Sequence, residues 1–181
     1  MVSRPVIHLN IFEIDMKLIH DNIEKLEEIK ALFSELSPDL YIQQIPVLNG
    51  ATLGQHFRHI LEFYICLIKG VAKGEVCYDE RERNELIESK INYATKTINN
   101  VIMYLLSINS DKAIVLKSNY STLPEDYEEI PSSLHRELAY ALDHTVHHLA
   151  LVKIALQVEN IPVDEHFGVA PSTIRYRQLA K

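Results

Sequence analysis

The stretch PSSLHRELAYALDHTVHHLALVKIALQV, residues 131–158, combines a helical pattern with four of the chain's nine histidines. Its apolar residues recur at spacings of three, four and seven, which is the repeat of one face of an α-helix. They are Leu134, Leu138, Leu142, Leu149, Val152 and Leu156. Asn160 and Pro162 follow the pattern and favour a helix end there. We therefore predict a long helix over residues 131–158.

Three earlier segments show the same apolar periodicity, over residues 10–37, 53–72 and 80–107. The second of these starts at Thr52, and Gln55 follows three residues later. This is the spacing of a capping box, in which two orphan amides at the helix start are satisfied reciprocally. We therefore expect a sharply defined start for the second helix.

The third helix is predicted to start near residue 80, because Asp79 and Glu82 also have cap spacing and an acidic first turn suits the helix dipole. Between the third and fourth helices lies a long connection, residues 112–129, in which residues 114–116 have the composition of a short strand. A connection of this length is typical of a crossover in a helix bundle.

Together the four segments predict an all-α fold, a four-helix bundle with a long crossover connection. We expect residues 1–181 to form one domain, since that length suits a single domain. Irregular segments are expected at 39–51, at 112–129 and at the C-terminus.

Composition excludes several functional classes. The formal charge is −7, from 25 acidic and 18 basic residues, and this argues against nucleic-acid binding. No window approaches the roughly 20 consecutive apolar residues of a membrane span, and no apolar signal-peptide region follows the first residues. Two cysteines cannot form a disulfide scaffold and favour a reducing compartment. We expect a soluble, cytoplasmic protein without nucleic-acid or membrane partners.

The histidines suggest a metal site. His144 and His148 are four residues apart, so they lie on one helix face, one turn above the other. Two imidazoles at this spacing reach one metal ion in the H-E-x-x-H pattern. Thr145 stands where that pattern has its glutamate, so a protease is disfavoured. His147 is turned about 60° from His144 and is expected at the rim.

A third ligand is expected from the second helix, because metal sites in bundles are built from facing helices. His59 shares a face with apolar residues, and His56 is about one turn earlier. Either would complete a three-histidine set, which leaves a position for water or substrate at catalytic zinc. The alternative is that no metal binds and that the histidines pack in a polar core.

Other residues near these histidines are weaker candidates. Glu137 and Tyr140 lie on the same face of the fourth helix. Glu137 is either a catalytic base or a charge at the rim. Tyr140 is either a catalytic residue or a packing residue. Asp143 and Glu62 are candidates to orient the imidazoles. Cys66 is predicted to be a small, buried hydrophobic residue.

Residues 51–59, ATLGQHFRH, followed by Glu137-Leu138 and by residues 143–148, DHTVHH, resemble the DinB-like metalloprotein superfamily. Residues 167–173, FGVAPST, also look like a segment of one uncharacterised branch of that superfamily. The resemblance covers most of the chain and implies a four-helix bundle. It implies one divalent metal, zinc, nickel or iron, held by His144, His148 and best by His59, with His56 as the alternative.

The resemblance also implies an activity and a partner. Characterised relatives include thiol-dependent transferases and isomerases, and dimers are common among them. The chain is therefore expected to be a homodimer and a metal-dependent enzyme, either a thiol S-transferase or a hydrolase, acting on a small-molecule thiol or another small substrate. The alternative function is a non-catalytic metal-binding or stress-related interaction protein with the same fold.

Overall fold

The computed structural model describes residues 11–124 and 126–180, with side chains from residue 17 onward. The helices are α1 (Ile11–Glu35), α2 (Pro38–Ile42), α3 (Leu53–Lys73), α4 (Glu85–Ser89), α5 (Ile91–Leu106), α6 (Leu134–Val158) and α7 (Pro171–Leu179), and Pro46–Leu48 form a 3₁₀ turn. The strands are β1 (Glu75–Cys77), β2 (Ala113–Ser118) and β3 (Glu128–Ser133). The long helices α1, α5 and α6 fall within three of the segments predicted from periodicity, and α3 extends one residue beyond the predicted segment 53–72.

The prediction of an all-α four-helix bundle is wrong, because the helices share the fold with a three-stranded sheet. The strand order is β1-β2-β3, with β1 parallel to β2 and β2 antiparallel to β3. The fold is therefore α/β rather than all-α. The connection between α5 and α6 is not an irregular crossover. It forms a hairpin in which Ile114 and Leu116 are buried, while Val115 and Lys117 are less so. This alternation is the two-residue repeat of a strand.

The third predicted helix starts too early in the sequence. Residues 80–84 are not helical, and the helix is divided into α4 and α5 by an extended residue, Lys90. Asp79 does not cap a helix, because its Oδ2 accepts a hydrogen bond from the backbone amide of Asn119 at 3.0 Å. Asn84 instead caps α4 through its side-chain oxygen. A long-range contact therefore overrides the local cap spacing.

The start of the fourth helix is also shifted. Residues 131–133 belong to β3, and α6 begins at Leu134 with Ser133 as its cap. β3 lies at an edge of the sheet, where a proline such as Pro131 costs little because the missing amide is not required.

The two helices that carry the histidines, α3 and α6, are held against α1 by buried polar contacts. The Tyr64 hydroxyl donates to Asn22 Oδ1 at 2.8 Å and lies 3.3 Å from Thr145 Oγ1. At the start of α3, Thr52 Oγ1 accepts from the Gln55 amide at 3.0 Å, and Gln55 Oε1 accepts from the Thr52 amide at 3.1 Å. The predicted capping box is confirmed, and it fixes where the first turns of α3 lie.

None of the helices within 11–124 and 126–180 has both the length and the apolar character that a bilayer crossing requires.

Candidate metal centre

Three histidines from two helices converge at one point between α3 and α6. His59 comes from α3, and His144 and His148 come from successive turns of α6. One ring nitrogen from each can be chosen so that all lie within 4.8 Å of one another. The Nε2 atoms of His59 and His144 are 2.9 Å apart. The structure therefore brings together the three residues that the sequence favoured as ligands.

The spacing of these nitrogens suits a metal ion. Three ligands at the roughly 2.0–2.1 Å of zinc–imidazole bonds lie about 3.4 Å from one another in a tetrahedral site. The nitrogens of His59, His144 and His148 all lie within 4.8 Å of one another, and the shortest separation given, between Nε2 of His59 and Nε2 of His144, is 2.9 Å. These separations are of the size that a shared metal ion requires.

The three imidazoles are neutral at physiological pH. Burial, together with the neighbouring His144 and Arg81, lowers the pKa of His59 to about 4. Burial and His147 lower the pKa of His144 to about 4. Burial and the surrounding histidines lower the pKa of His148 to about 3. Neutral imidazole is the form that binds metal, so no proton has to be released to solvent at neutral pH.

His56 lies beside the cluster rather than in it. Its Nδ1 is 3.1 Å from Nδ1 of His148, so one ring donates to the other. A His148 that binds metal through Nε2 keeps its proton on Nδ1 and donates it to His56. Ligating histidines commonly need such an acceptor for the second ring N–H. His56 is therefore placed to orient His148, while His59 is the residue of α3 that lies within the three-histidine group.

Arg81 makes an opposing contact. Its Nη2 is 3.3 Å from Nδ1 of His59, and a guanidinium offers only donors. In this contact Nδ1 accepts, so a neutral His59 carries its proton on Nε2, the atom that faces His144. Metal binding at Nε2 moves the proton to Nδ1, where it meets another donor. Arg81 therefore disfavours the metal-binding tautomer of His59.

An aromatic wall closes one side of the cluster. Phe63 stacks on His144 with ring centroids 4.1 Å apart, and Tyr78 stacks on Phe63 at 4.7 Å. Tyr140 lies 5.8 Å from His144 and is 38% exposed, so it is the part of the wall that reaches solvent. Burial and Glu137 raise the pKa of Tyr140, which keeps its hydroxyl protonated.

Glu137 is completely buried below this wall. Its carboxylate accepts from the Tyr78 hydroxyl at 2.9 Å, from Arg136 Nη1 at 2.8 Å and from the Ser132 hydroxyl. Because it accepts from three donors and has no contact with solvent, this carboxylate links α6 to the sheet region by hydrogen bonds. The structure does not place it where it contacts an external substrate.

The other candidate residues from the sequence, Glu62, Asp143, His147 and Cys66, differ in their burial and contacts. Glu62 is 2% exposed and lies 3.7 Å from Arg81 Nε, so it reaches His59 only through Arg81. Asp143 and His147 are exposed. Cys66 donates to the carbonyl of Cys77 at 3.1 Å, and burial raises the pKa of its thiol to about 11.

An open pocket of about 250 Å³ lies beside the histidines, and its lining does not include Phe63, Tyr78 or Tyr140. It is lined by Ala51, Gln55, His56, Arg58, His59 and His148. Sequence reasoning did not find Gln55 or Arg58 as site residues, because Gln55 showed only a capping role. Arg81 carried no signal at all, since its segment was predicted to be helical.

Comparisons with known proteins give one partial match. No protein-family model matches the chain, and no solved structure matches it. FK506-binding protein 5 of Rhizopus delemar is 32% identical over 103 residues, which are 55% of this chain. The match covers 26% of that protein's length, so the chain spans about a quarter of the relative. The relative's name describes that larger protein and does not define the family of this chain.

Proposed function

We propose that His59, His144 and His148 bind one divalent metal ion, zinc, nickel or iron, and that the protein is a metal-dependent enzyme. The observation that carries the proposal is the convergence of three neutral imidazoles within 4.8 Å beside an open pocket. The resemblance to the DinB-like superfamily supports the same ligand set. Imidazole ligands alone do not select among these metals.

The reaction we propose is thiol S-transfer or hydrolysis on a small substrate. A metal bound by neutral imidazoles lowers the pKa of a bound water or activates a thiolate. The chain's own residues supply the surroundings. Phe63 and Tyr140 exclude water from one side, and Tyr64 with Thr145 keeps α3 and α6 in register. The pocket beside His59 and His148 provides access for a small molecule.

A non-catalytic metal-binding protein is the alternative. A structural site is closed, with its coordination completed by protein ligands, whereas a catalytic site keeps a position open. The pocket beside His59 and His148 favours the open kind. Phe63 covers only one side of the cluster, so the histidines are half-buried rather than sealed.

The test is the metal content of the purified protein and of two matched variants. We expect about one equivalent in the wild type, loss of metal in His144→Ala and retention in His147→Ala. His147 is an exposed neighbour on the same helix, with its ring 5.3 Å from that of His148. Metal retained by His144→Ala, or no uptake by the wild type after incubation with zinc, nickel or iron, would overturn the proposal.

A further inference from the structure

The pocket beside the histidines has an uneven set of polar groups. Of the six described residues that line it, none carries a carboxylate, and one, Arg58, carries a permanent positive charge. His59 and His148 turn their ligand nitrogens toward the cluster. The groups that remain for a bound molecule are therefore those of Gln55, His56 and Arg58.

Gln55 offers a donor. Its side-chain oxygen is used in the capping box, where it accepts from the Thr52 amide at 3.1 Å. The amide nitrogen, with two hydrogens, is the part of the group left free. The helix cap thus fixes the position of this side chain and leaves its N–H₂ donors, rather than its acceptor oxygen, for a bound molecule.

His56 offers a donor for a similar reason. When His148 binds metal through Nε2, its Nδ1–H donates to Nδ1 of His56, 3.1 Å away. A neutral His56 then carries its proton on Nε2.

Arg58 adds further donors. Its Nη1 lies 2.9 Å from Glu88 Oε2 and its Nε lies 3.7 Å from Glu62 Oε1, so the guanidinium is held in place by α3 and α4. Its Nε is buried without a hydrogen-bond partner. Glu62 and Glu88 together offset its positive charge, so the pocket gains N–H donors without a strong positive charge, which suits a monoanionic ligand better than a dianionic phosphate.

We infer that this pocket binds a carboxylate group of the substrate, recognised by Gln55, His56 and Arg58, while the reacting group of the substrate lies at the metal. The inference rests on the proposed metal site and adds the substrate class to it. A carboxylate matches a lining that presents donors and no carboxylate, since hydrogen bonds to a charged acceptor are the stronger ones. A neutral amide offers these donors only the weaker acceptor of its carbonyl oxygen.

The test uses two thiols of the same length and similar shape, 3-mercaptopropionate, which is charged at its far end, and 3-mercaptopropionamide, which is neutral there. Each is titrated into the cobalt-loaded protein, and binding is followed by the thiolate-to-cobalt absorption band. We expect the carboxylate to bind at least about tenfold more tightly, the effect of one charge-assisted hydrogen bond.

Gln55→Glu is the decisive variant, because glutamate keeps the capping box but replaces the amide donor with a negative charge. We expect it to abolish the preference, and Arg58→Gln to reduce it, with helicity and melting temperature measured for both. Gln157→Glu, the same change at an exposed site on α6, should leave the preference intact.

Equal affinity of the two thiols for the wild type would overturn the inference. So would a preference that survives in Gln55→Glu, because the metal or another residue would then be its source. Failure of the wild type to bind cobalt at all would instead overturn the proposed metal site, so the two failures are distinguishable.

Discussion

Replacement of Arg81 by glutamine should strengthen metal binding, although Arg81 is not a ligand. Its guanidinium donates to Nδ1 of His59 at 3.3 Å and so holds the proton on the nitrogen that has to bind metal. Glutamine offers a carbonyl oxygen that can accept from a protonated Nδ1. Arg81→Gln thus exchanges a donor for an acceptor at the point where a ligating histidine needs an acceptor.

The magnitude follows from the contact that is lost and the one that is gained. A hydrogen bond to a charged group contributes about 1.5–3 kcal/mol, and metal binding forfeits it in the wild type. Removal of that penalty corresponds to an affinity gain of about tenfold or more. The same change weakens the metal-free fold, because Arg81 Nε lies 3.7 Å from the buried Glu62. Partial loss of pairing for a buried carboxylate costs about 2–3 kcal/mol, less than complete loss because Arg58 remains near it.

The assay is a competition titration of zinc against a chromophoric chelator, with urea unfolding of the metal-free protein beside it. Arg83→Gln is the matched control, since Arg83 is an exposed residue two positions along the same segment. The expected result is tighter zinc binding and lower urea stability in Arg81→Gln only. Weaker zinc binding in Arg81→Gln would refute the assignment of Arg81 as an opposing group.

Two further predictions concern pH and the buried carboxylate of α6. The folded pKa values of His59 and His144, about 4, lie below the ordinary 6.5, so the unfolded chain binds more protons between these limits. The contribution of these histidines to the stability of the metal-free protein should therefore be fully present above about pH 6.5 and be lost as the pH falls toward 4. Urea midpoints that stay level over this pH range in the wild type would contradict this prediction. Glu137→Gln should lower the free energy of unfolding by about 1–3 kcal/mol, because it weakens three hydrogen bonds at a fully buried site, and should leave zinc content unchanged, with the exposed Glu128→Gln as control. Loss of zinc from Glu137→Gln would assign that residue to the metal centre instead.

Features set by local chemistry were predictable from the sequence. The capping box of Thr52 and Gln55 is formed by residues three apart and needs no distant partner, so the start of α3 was predicted correctly. The spacing of His144 and His148 likewise determines that they share a helix face. Periodicity located the long helices for the same reason.

Features set by distant contacts were not predictable. β1 has only three residues and exists because it pairs with β2, some forty positions later. The predicted cap at Asp79 was wrong because its carboxylate accepts from the backbone amide of Asn119, also forty positions away. β3 contains Pro131 and two glutamates, which give little strand signal, and it is defined by the register with β2.

The candidate site shows the same division. Each histidine was found from its own helix, and the preference for His59 over His56 came from the resemblance to the DinB-like superfamily. Arg81 was missed because its segment was predicted to be helical, while its contact with His59 depends on the turn after β1. The donors of Gln55 and Arg58 become visible only when the pocket is described. The resemblance to the DinB-like superfamily and the predicted homodimer stay predictions.

X-ray absorption of the zinc-loaded protein counts the ligand types around the metal. We expect three imidazole nitrogens at about 2.0–2.1 Å and no sulfur scatterer. A sulfur scatterer at about 2.3 Å, or fewer than three imidazoles, would contradict the assignment of His59, His144 and His148 as the metal ligands.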